Sequence, residues 1–133
     1  MTANNTYNKY KENSVYTASP EELTLMLYNG LIKFIMISEK AIEDKDTSKA
    51  HENITKAENI VQEFIASLDM NYEVSQTLML MYDYMYRRLM DANTKKDKEI
   101  LGEVLGFARE LRDTWAQAMK IAKQSQVKHA VSE

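Results

Sequence analysis

Four segments of this chain repeat apolar residues with the spacing of an α-helix, and short polar breaks separate them. The segments cover about residues 19–43, 49–68, 73–93 and 98–123. Turn-forming residues are scarce, with 3 Gly and 1 Pro in 133 residues, which favours a few long helices over many strands. Breaks this short join neighbours that run in opposite directions. We therefore predict an all-α fold, an antiparallel up-down-up-down four-helix bundle.

Local signals mark where two of these helices begin. Ser19 precedes Pro20 and two glutamates, and a serine at this position accepts a hydrogen bond from a free main-chain N–H group of the first turn. Glu22 follows three residues later and completes a capping box. Asp97 stands directly before the fourth segment and is placed to cap it in the same way.

Polar segments flank the predicted bundle, which we assign to residues 19–123. Residues 1–18 are rich in Asn and Lys and contain few apolar residues, so we predict an extended, flexible N-terminal arm. Residues 124–133 are also polar and are predicted to form a flexible tail.

The third segment is apolar on more than one face. At about 100° per residue, one stripe contains Leu78, Met81, Tyr82, Met85 and Leu89. A second stripe, about 100° away, contains Met79, Tyr86 and Met90. One stripe suffices to join a small bundle, so the second needs another partner, inside the fold or outside it. Met and Tyr side chains recur at surfaces that bind other chains. We therefore predict that the second stripe binds a partner; the alternative is that this helix is simply the most buried one.

Three further groups of residues complete the partner-binding prediction. The first segment is apolar most of the way round, and Leu31 and Ile35 extend its apolar surface. Gly102 and Gly106 lie away from the predicted core face of the fourth segment, although a Gly costs about 1 kcal/mol in a helix interior. Close approach by another polypeptide would explain them, and a tolerated weakness is the alternative. The arm contributes its apolar residues Tyr7, Tyr10 and Val15.

The residues that enzymes and metal sites require are scarce. The chain has no Cys and 2 His, and neither His51 nor His129 follows a Glu at the spacing of a di-iron site. All three glycines fall inside predicted helices, so the sequence has no glycine-rich phosphate loop. We predict a protein that is not an enzyme and that binds no cofactor or metal.

Charge and hydropathy limit the classes of partner. The net charge of −3 offers no basic stripe for nucleic acid. The most apolar run, residues 23–42, contains Asn29, Lys33, Glu39 and Lys40 and is too polar for a membrane span. The first residues lack the basic-then-apolar layout of a signal peptide. We therefore expect a soluble, cytoplasmic protein with neither a nucleic-acid partner nor membrane insertion.

Several motifs resemble those of the flagellar export chaperone family FliS, and together they span about residues 7–120. The helix start resembles the N-terminal motif of that family, from Val15 to Leu23 and then from Met26 to Gly30. The run from Tyr82 to Leu89, followed by Ala92-Asn93 and Asp97, resembles its third helix. Weaker similarities lie in the other two helices, at Lys56-Ala57, Asn59-Ile60, Arg112-Asp113 and Trp115.

The resemblance implies a cytoplasmic chaperone for flagellin. Members of this family are four-helix bundles that hold the disordered C-terminal segment of flagellin and so prevent premature polymerisation. They deliver it to the secretion gate of the flagellum, and a second flagellin assembly factor is a possible further partner. Tyr7 and Tyr10 match apolar positions of an arm that covers part of the binding surface when flagellin is absent.

The alternative function is a structural or regulatory four-helix module that forms a homodimer through the same surface. A chaperone binds a flagellin C-terminal peptide at 1:1, whereas a dimeric module buries the surface by itself and does not bind that peptide.

Overall fold

The computed structural model describes the backbone of residues 17–132 and the side chains of residues 17–128. Within this range the chain folds into four α-helices, which we number in chain order. They are α1 (Pro20–Glu43), α2 (Thr47–Ser67), α3 (Glu73–Lys95) and α4 (Lys98–Ser132). The two helices α1 and α3 each pack against both α2 and α4, which places the four helices around one core. The predicted all-α bundle is confirmed.

Contacts between the helices show that neighbours run in opposite directions. Lys98, at the start of α4, contacts Glu43, at the end of α1. Trp115, farther along α4, donates through Nε1 to the main-chain oxygen of Glu21 in the first turn of α1, at 3.0 Å. The other pairs show the same order, because the links between successive helices are only residues 44–46, 68–72 and 96–97.

The predicted helix starts are confirmed by hydrogen bonds. The side chain of Ser19 accepts from the main-chain N–H of Glu22 at 3.2 Å. The carboxylate of Asp97 accepts from the N–H groups of Glu99 at 2.9 Å and Ile100 at 3.3 Å. Each cap satisfies N–H groups that have no partner inside the helix.

The core contains apolar residues from all four helices. Its largest side chains that are less than 2% exposed are Leu31, Ile35, Ile54, Met85, Leu89, Leu101, Val61 and Val104, together with Ser38. Ser38 tolerates this position because its hydroxyl donates to the main-chain oxygen of Phe34 at 2.7 Å. The first predicted stripe of α3 belongs to this core: three of its members are buried and two, Leu78 and Met81, pack partly buried against it.

A cluster of polar and charged side chains joins α3 to α4 on their exposed side. Tyr84 and Arg88, one turn apart on α3, both donate to the Oε1 atom of Glu103, at 2.8 Å and 3.0 Å. The hydrogen bond from Tyr84 and the charge and hydrogen bond of Arg88 hold the pKa of Glu103 below its usual range. Arg88 also pairs with Asp91 at 3.3 Å, and Arg87 pairs with Asp83 at 3.1 Å.

The C-terminal end of α4 differs from the prediction. The sequence pattern predicted that this helix ends near Lys123, but α4 continues to Ser132. All described side chains from residue 120 to residue 128 are exposed, so no apolar stripe marked this continuation. No Gly or Pro interrupts residues 124–132, and a helix once started extends readily through such a sequence.

Candidate partner-binding site

The residues predicted to bind a partner do not form one site. Tyr7, Tyr10 and Val15 lie outside the described residues. Leu31 and Ile35 lie in the core. The others are divided between two surfaces: the second stripe of α3 borders α2, whereas Gly102 and Gly106 lie on the outer side of α4.

The assignment of Leu31 and Ile35 to a partner surface is corrected. Both side chains are fully buried, whereas Met26 and Met36 on the same helix are 38% and 48% exposed. Because α1 is apolar almost all round, the spacing of its apolar residues does not say which side faces inward. Tyr28 helps to determine which side of α1 faces the core, because its buried hydroxyl is hydrogen-bonded to that of Tyr82 at 2.7 Å.

The second stripe of α3 borders α2 through Tyr86, and we call this boundary between α2 and α3 the seam. Met79 and Tyr86 are partly buried, and Met90 is 43% exposed. The hydroxyl of Tyr86 accepts a hydrogen bond from the side chain of Gln62 on α2 at 3.0 Å, which fixes its ring across the seam. The stripe is therefore neither core nor fully free, and its two methionines offer adaptable apolar surface.

The α2 side of the seam is polar. Glu58 lies one turn before Gln62 on the same side of α2. Partial burial raises the pKa of Glu58, and the nearby His51 opposes that effect. His51 is hydrogen-bonded through Nδ1 to the amide of Asn93 on α3, at 2.9 Å. The seam thus combines apolar surface from α3 with polar groups from α2, the composition of a groove for an amphipathic helix.

The two glycines of α4 lie at the surface, on the side facing away from the core. A Cβ atom added to Gly106 would meet nothing within 4 Å, and one added to Gly102 would lie 3.9 Å from a carboxylate oxygen of Glu39. Neither position is too tight for a Cβ atom, so packing against the described residues does not require a glycine at either one. Beside them, Arg109 contacts the sulfur of the half-exposed Met36 at 3.8 Å.

A third apolar feature, which the sequence did not reveal, is a pocket at the end of the bundle where α1 begins. It has a volume of about 430 Å³, and all four helices contribute to it. Its walls contain Thr24, Tyr28, Phe64, Ser67, Leu68, Val74, Leu78, Tyr82, Leu111, Thr114, Trp115 and Ala118. We call it the end pocket. Helix periodicity placed Leu78 and Tyr82 on the first stripe of α3, and only knowledge of where each helix ends shows that they border an opening.

The described part of the chain offers binding surface and little that suggests a metal centre. Among residues whose side chains are described, no three carboxylate, imidazole or thiol groups converge. None of the described helices is long and apolar enough for a membrane span.

Comparisons with known proteins give one consistent result. The family model described as "Flagellar protein FliS" matches residues 3–122. The chain is 50% identical over 120 residues to the flagellar secretion chaperone FliS of Bacillus subtilis, and this alignment covers 90% of each chain. It is 33% identical over 109 residues to the chaperone of the same name from Salmonella typhimurium, covering 80% of this chain and 81% of the relative. A crystal structure of a bacterial flagellar chaperone has a similar fold, with a TM-score of 0.71 at 18% identity, covering 87% of this chain and 96% of the other.

Proposed function

Because this chain belongs to the FliS family of flagellar secretion chaperones, we propose that it binds the C-terminal segment of flagellin in the cytoplasm and keeps the subunit monomeric until export. The curated relatives are named as chaperones, and we propose no enzymatic step.

The observation that carries the proposal is the apolar surface that the bundle leaves uncovered along the seam. Met79, Tyr86 and Met90 repeat with helical spacing on one side of α3, and Met90 keeps 43% of its surface exposed. A groove of this kind accepts the apolar face of an amphipathic helix. The polar groups of Gln62 and Glu58 on the opposite wall suit the boundary between the apolar and polar faces of such a helix.

A disordered segment suits this mode of binding. It folds as it binds, and burial of apolar surface offsets the entropy lost on ordering. While the segment lies on the chaperone, it is not available to another flagellin subunit, so polymerisation is blocked by occupancy. Transfer to the flagellar export gate then requires only that the gate, or a further assembly factor, shifts the binding equilibrium.

The central experiment compares intact flagellin with flagellin that lacks its C-terminal segment. Isothermal titration calorimetry should show 1:1 binding of the intact protein with a negative heat-capacity change, because apolar surface is buried. The truncated protein should bind at least tenfold more weakly. Equal affinity for both would contradict the proposal, and a chain that dimerises and ignores both would support the homodimeric module instead.

A pair of substitutions tests the seam itself. Met79→Ser with Met90→Ser should weaken flagellin binding, because both remove apolar surface from the groove. The matched control is Leu80→Ser, which removes an apolar residue that is 73% exposed and projects about 100° away from Met79 on the same helix. Circular dichroism should show that all variants remain folded. Equal weakening of binding by the control variant would show that the seam is not the binding surface.

A further inference from the structure

The floor of the end pocket contains a pair of buried hydroxyl groups. The phenol oxygens of Tyr28 and Tyr82 lie 2.7 Å apart, and both side chains are less than 5% exposed. The ring of Phe64 packs against both tyrosine rings, with centroid distances of 4.5 Å to Tyr28 and 5.3 Å to Tyr82. The two hydroxyls are therefore held in place by their rings.

One hydroxyl hydrogen of this pair is not used in the hydrogen bond between the two oxygens. Each phenol carries one O–H donor, and a single hydrogen bond joins the two oxygens. Neither oxygen has a hydrogen bond to any other described residue, so the second hydrogen is available to a ligand. A donor in an apolar pocket gains most from a ligand that brings an acceptor, because an unpaired buried polar group is costly.

Two other hydroxyls of the pocket complement this donor. Thr24 donates its hydrogen to the main-chain oxygen of Pro20 at 3.1 Å, and Ser67 donates to that of Phe64 at 3.1 Å. Both hydrogens are thereby used, so the oxygens of Thr24 and Ser67 can only accept a further hydrogen bond. The pocket therefore offers one donor on its floor and acceptors on its walls, surrounded by apolar groups from Leu78, Trp115 and others.

From this arrangement we propose that the end pocket binds a carboxamide side chain, glutamine or asparagine, of the flagellin C-terminal segment. The amide carbonyl accepts from the Tyr28–Tyr82 pair, and the amide NH₂ donates to the hydroxyl oxygens of the walls. This inference rests on the proposed function, because it names one contact within the same complex.

The absence of charged residues among the described pocket lining argues against other kinds of side chain as the ligand. None of the described residues that line it is charged, so a carboxylate or an ammonium group would be buried without a counter-ion. A purely apolar side chain would leave the second tyrosine hydrogen unpaired. The pocket volume of about 430 Å³ also leaves room for apolar residues beside the amide.

The test uses a synthetic peptide of the flagellin C-terminal segment and the full-length chaperone. Each Gln or Asn of the peptide is replaced in turn by Glu or Asp, which have the same shape but carry a charge. At one position the replacement should weaken binding by more than about tenfold. The single Trp of the chain, Trp115, borders the pocket, so its fluorescence emission should shift when the native peptide binds.

The double variant Tyr28→Phe/Tyr82→Phe tests the floor of the pocket. It removes both hydroxyls without changing the ring shapes, so stability should change little. It should bind the native peptide about three- to tenfold more weakly and should lose most of its preference for the amide at the sensitive position. A double-mutant cycle with additive effects would overturn the proposal.

The outcomes separate this inference from the proposed function. Failure of the native peptide to bind at all would reject flagellin binding itself. Normal peptide binding without a sensitive Gln or Asn, and without a change in Trp115 emission, would reject only the carboxamide subsite. If the double variant folds poorly, the peptide replacements and the Trp115 emission of the unmodified chaperone still test the carboxamide subsite.

Discussion

Leu80 and Leu89 lie nine residues apart on α3, and the first is 73% exposed whereas the second is fully buried. The same residue type is thus largely exposed at one position of this helix and fully buried at another. Leu89→Ala should lower the free energy of unfolding by about 2 to 5 kcal/mol, because it leaves a cavity in the core. Leu80→Ala should change it by no more than about 0.5 kcal/mol. Urea denaturation of both variants provides the measurement, and similar losses would mean that the packing of α3 is misassigned.

The hydrogen bonds to Glu103 predict a response to acid. Since the pKa of Glu103 is lowered in the folded state, its stabilising effect is complete above the usual glutamate value near 4.5 and is lost as the pH falls through the lower folded value. Glu103→Gln should therefore reduce stability at pH 7 by up to about 1 kcal/mol, since this contact is partly exposed. At pH 3 the difference should be smaller. Glu110→Gln, exposed on the same helix, is the control, and an equal pH response in both variants would contradict the assignment.

The cap at Asp97 should contribute measurably to stability. Asp97→Ala removes the acceptor for the N–H groups of Glu99 and Ile100 and should cost about 1 kcal/mol. Asp97→Asn retains a capping oxygen and should cost much less. Thermal denaturation of the two variants checks this, and equal melting temperatures would show that the cap is not needed.

Substitutions at Gly106 test its effects on stability and on binding separately. Gly106→Ala should raise stability by up to about 1 kcal/mol, because Ala favours the helix and nothing lies within 4 Å of the new Cβ atom. Gly30→Ala is the comparison, since its Cβ atom would lie 3.4 Å from the side chain of Ile60 and the gain should be smaller. Gly106→Leu should also remain stable. Weaker flagellin binding by the Leu variant would place a partner against α4, and unchanged binding would favour a merely tolerated glycine.

The C-terminal part of α4 should be dispensable for folding. Removal of residues 124–133 deletes side chains that are exposed wherever they are described. The midpoint of urea denaturation should shift little, while the helical signal per molecule in circular dichroism should fall. A large loss of stability would show that this part of α4 contacts residues outside the described range.

Much of the fold was predictable because its signals are local. Ser19 and Asp97 mark helix starts by the chemistry of single residues, and the structure confirms both caps. The stripe containing Tyr82, Met85 and Leu89 was predictable because α3 carries polar residues on its outer side that fix its orientation.

The candidate site was less predictable because it depends on how helices meet. Leu31 and Ile35 were misassigned because α1 offers apolar residues on nearly every side, and only its packing against α2 and α4 selects the inner one. The end pocket requires the ends of all four helices to be placed relative to one another, and no local pattern contains that information. Gly102 and Gly106 were correctly placed away from the core, while their role in binding stays a prediction.

The links between helices give the bundle two unlike ends. At one end the links 44–46 and 96–97 meet, and Lys98 binds Glu43 beside them. At the other, the longer link 68–72 lies near the end pocket, and α1 has its start there. Local unfolding proceeds more easily where fewer constraints hold the backbone, so amide hydrogen exchange should be faster in the last turn of α2 than in the last turn of α1. We therefore predict that the end around link 68–72 opens more readily than the end that the Glu43–Lys98 contact closes.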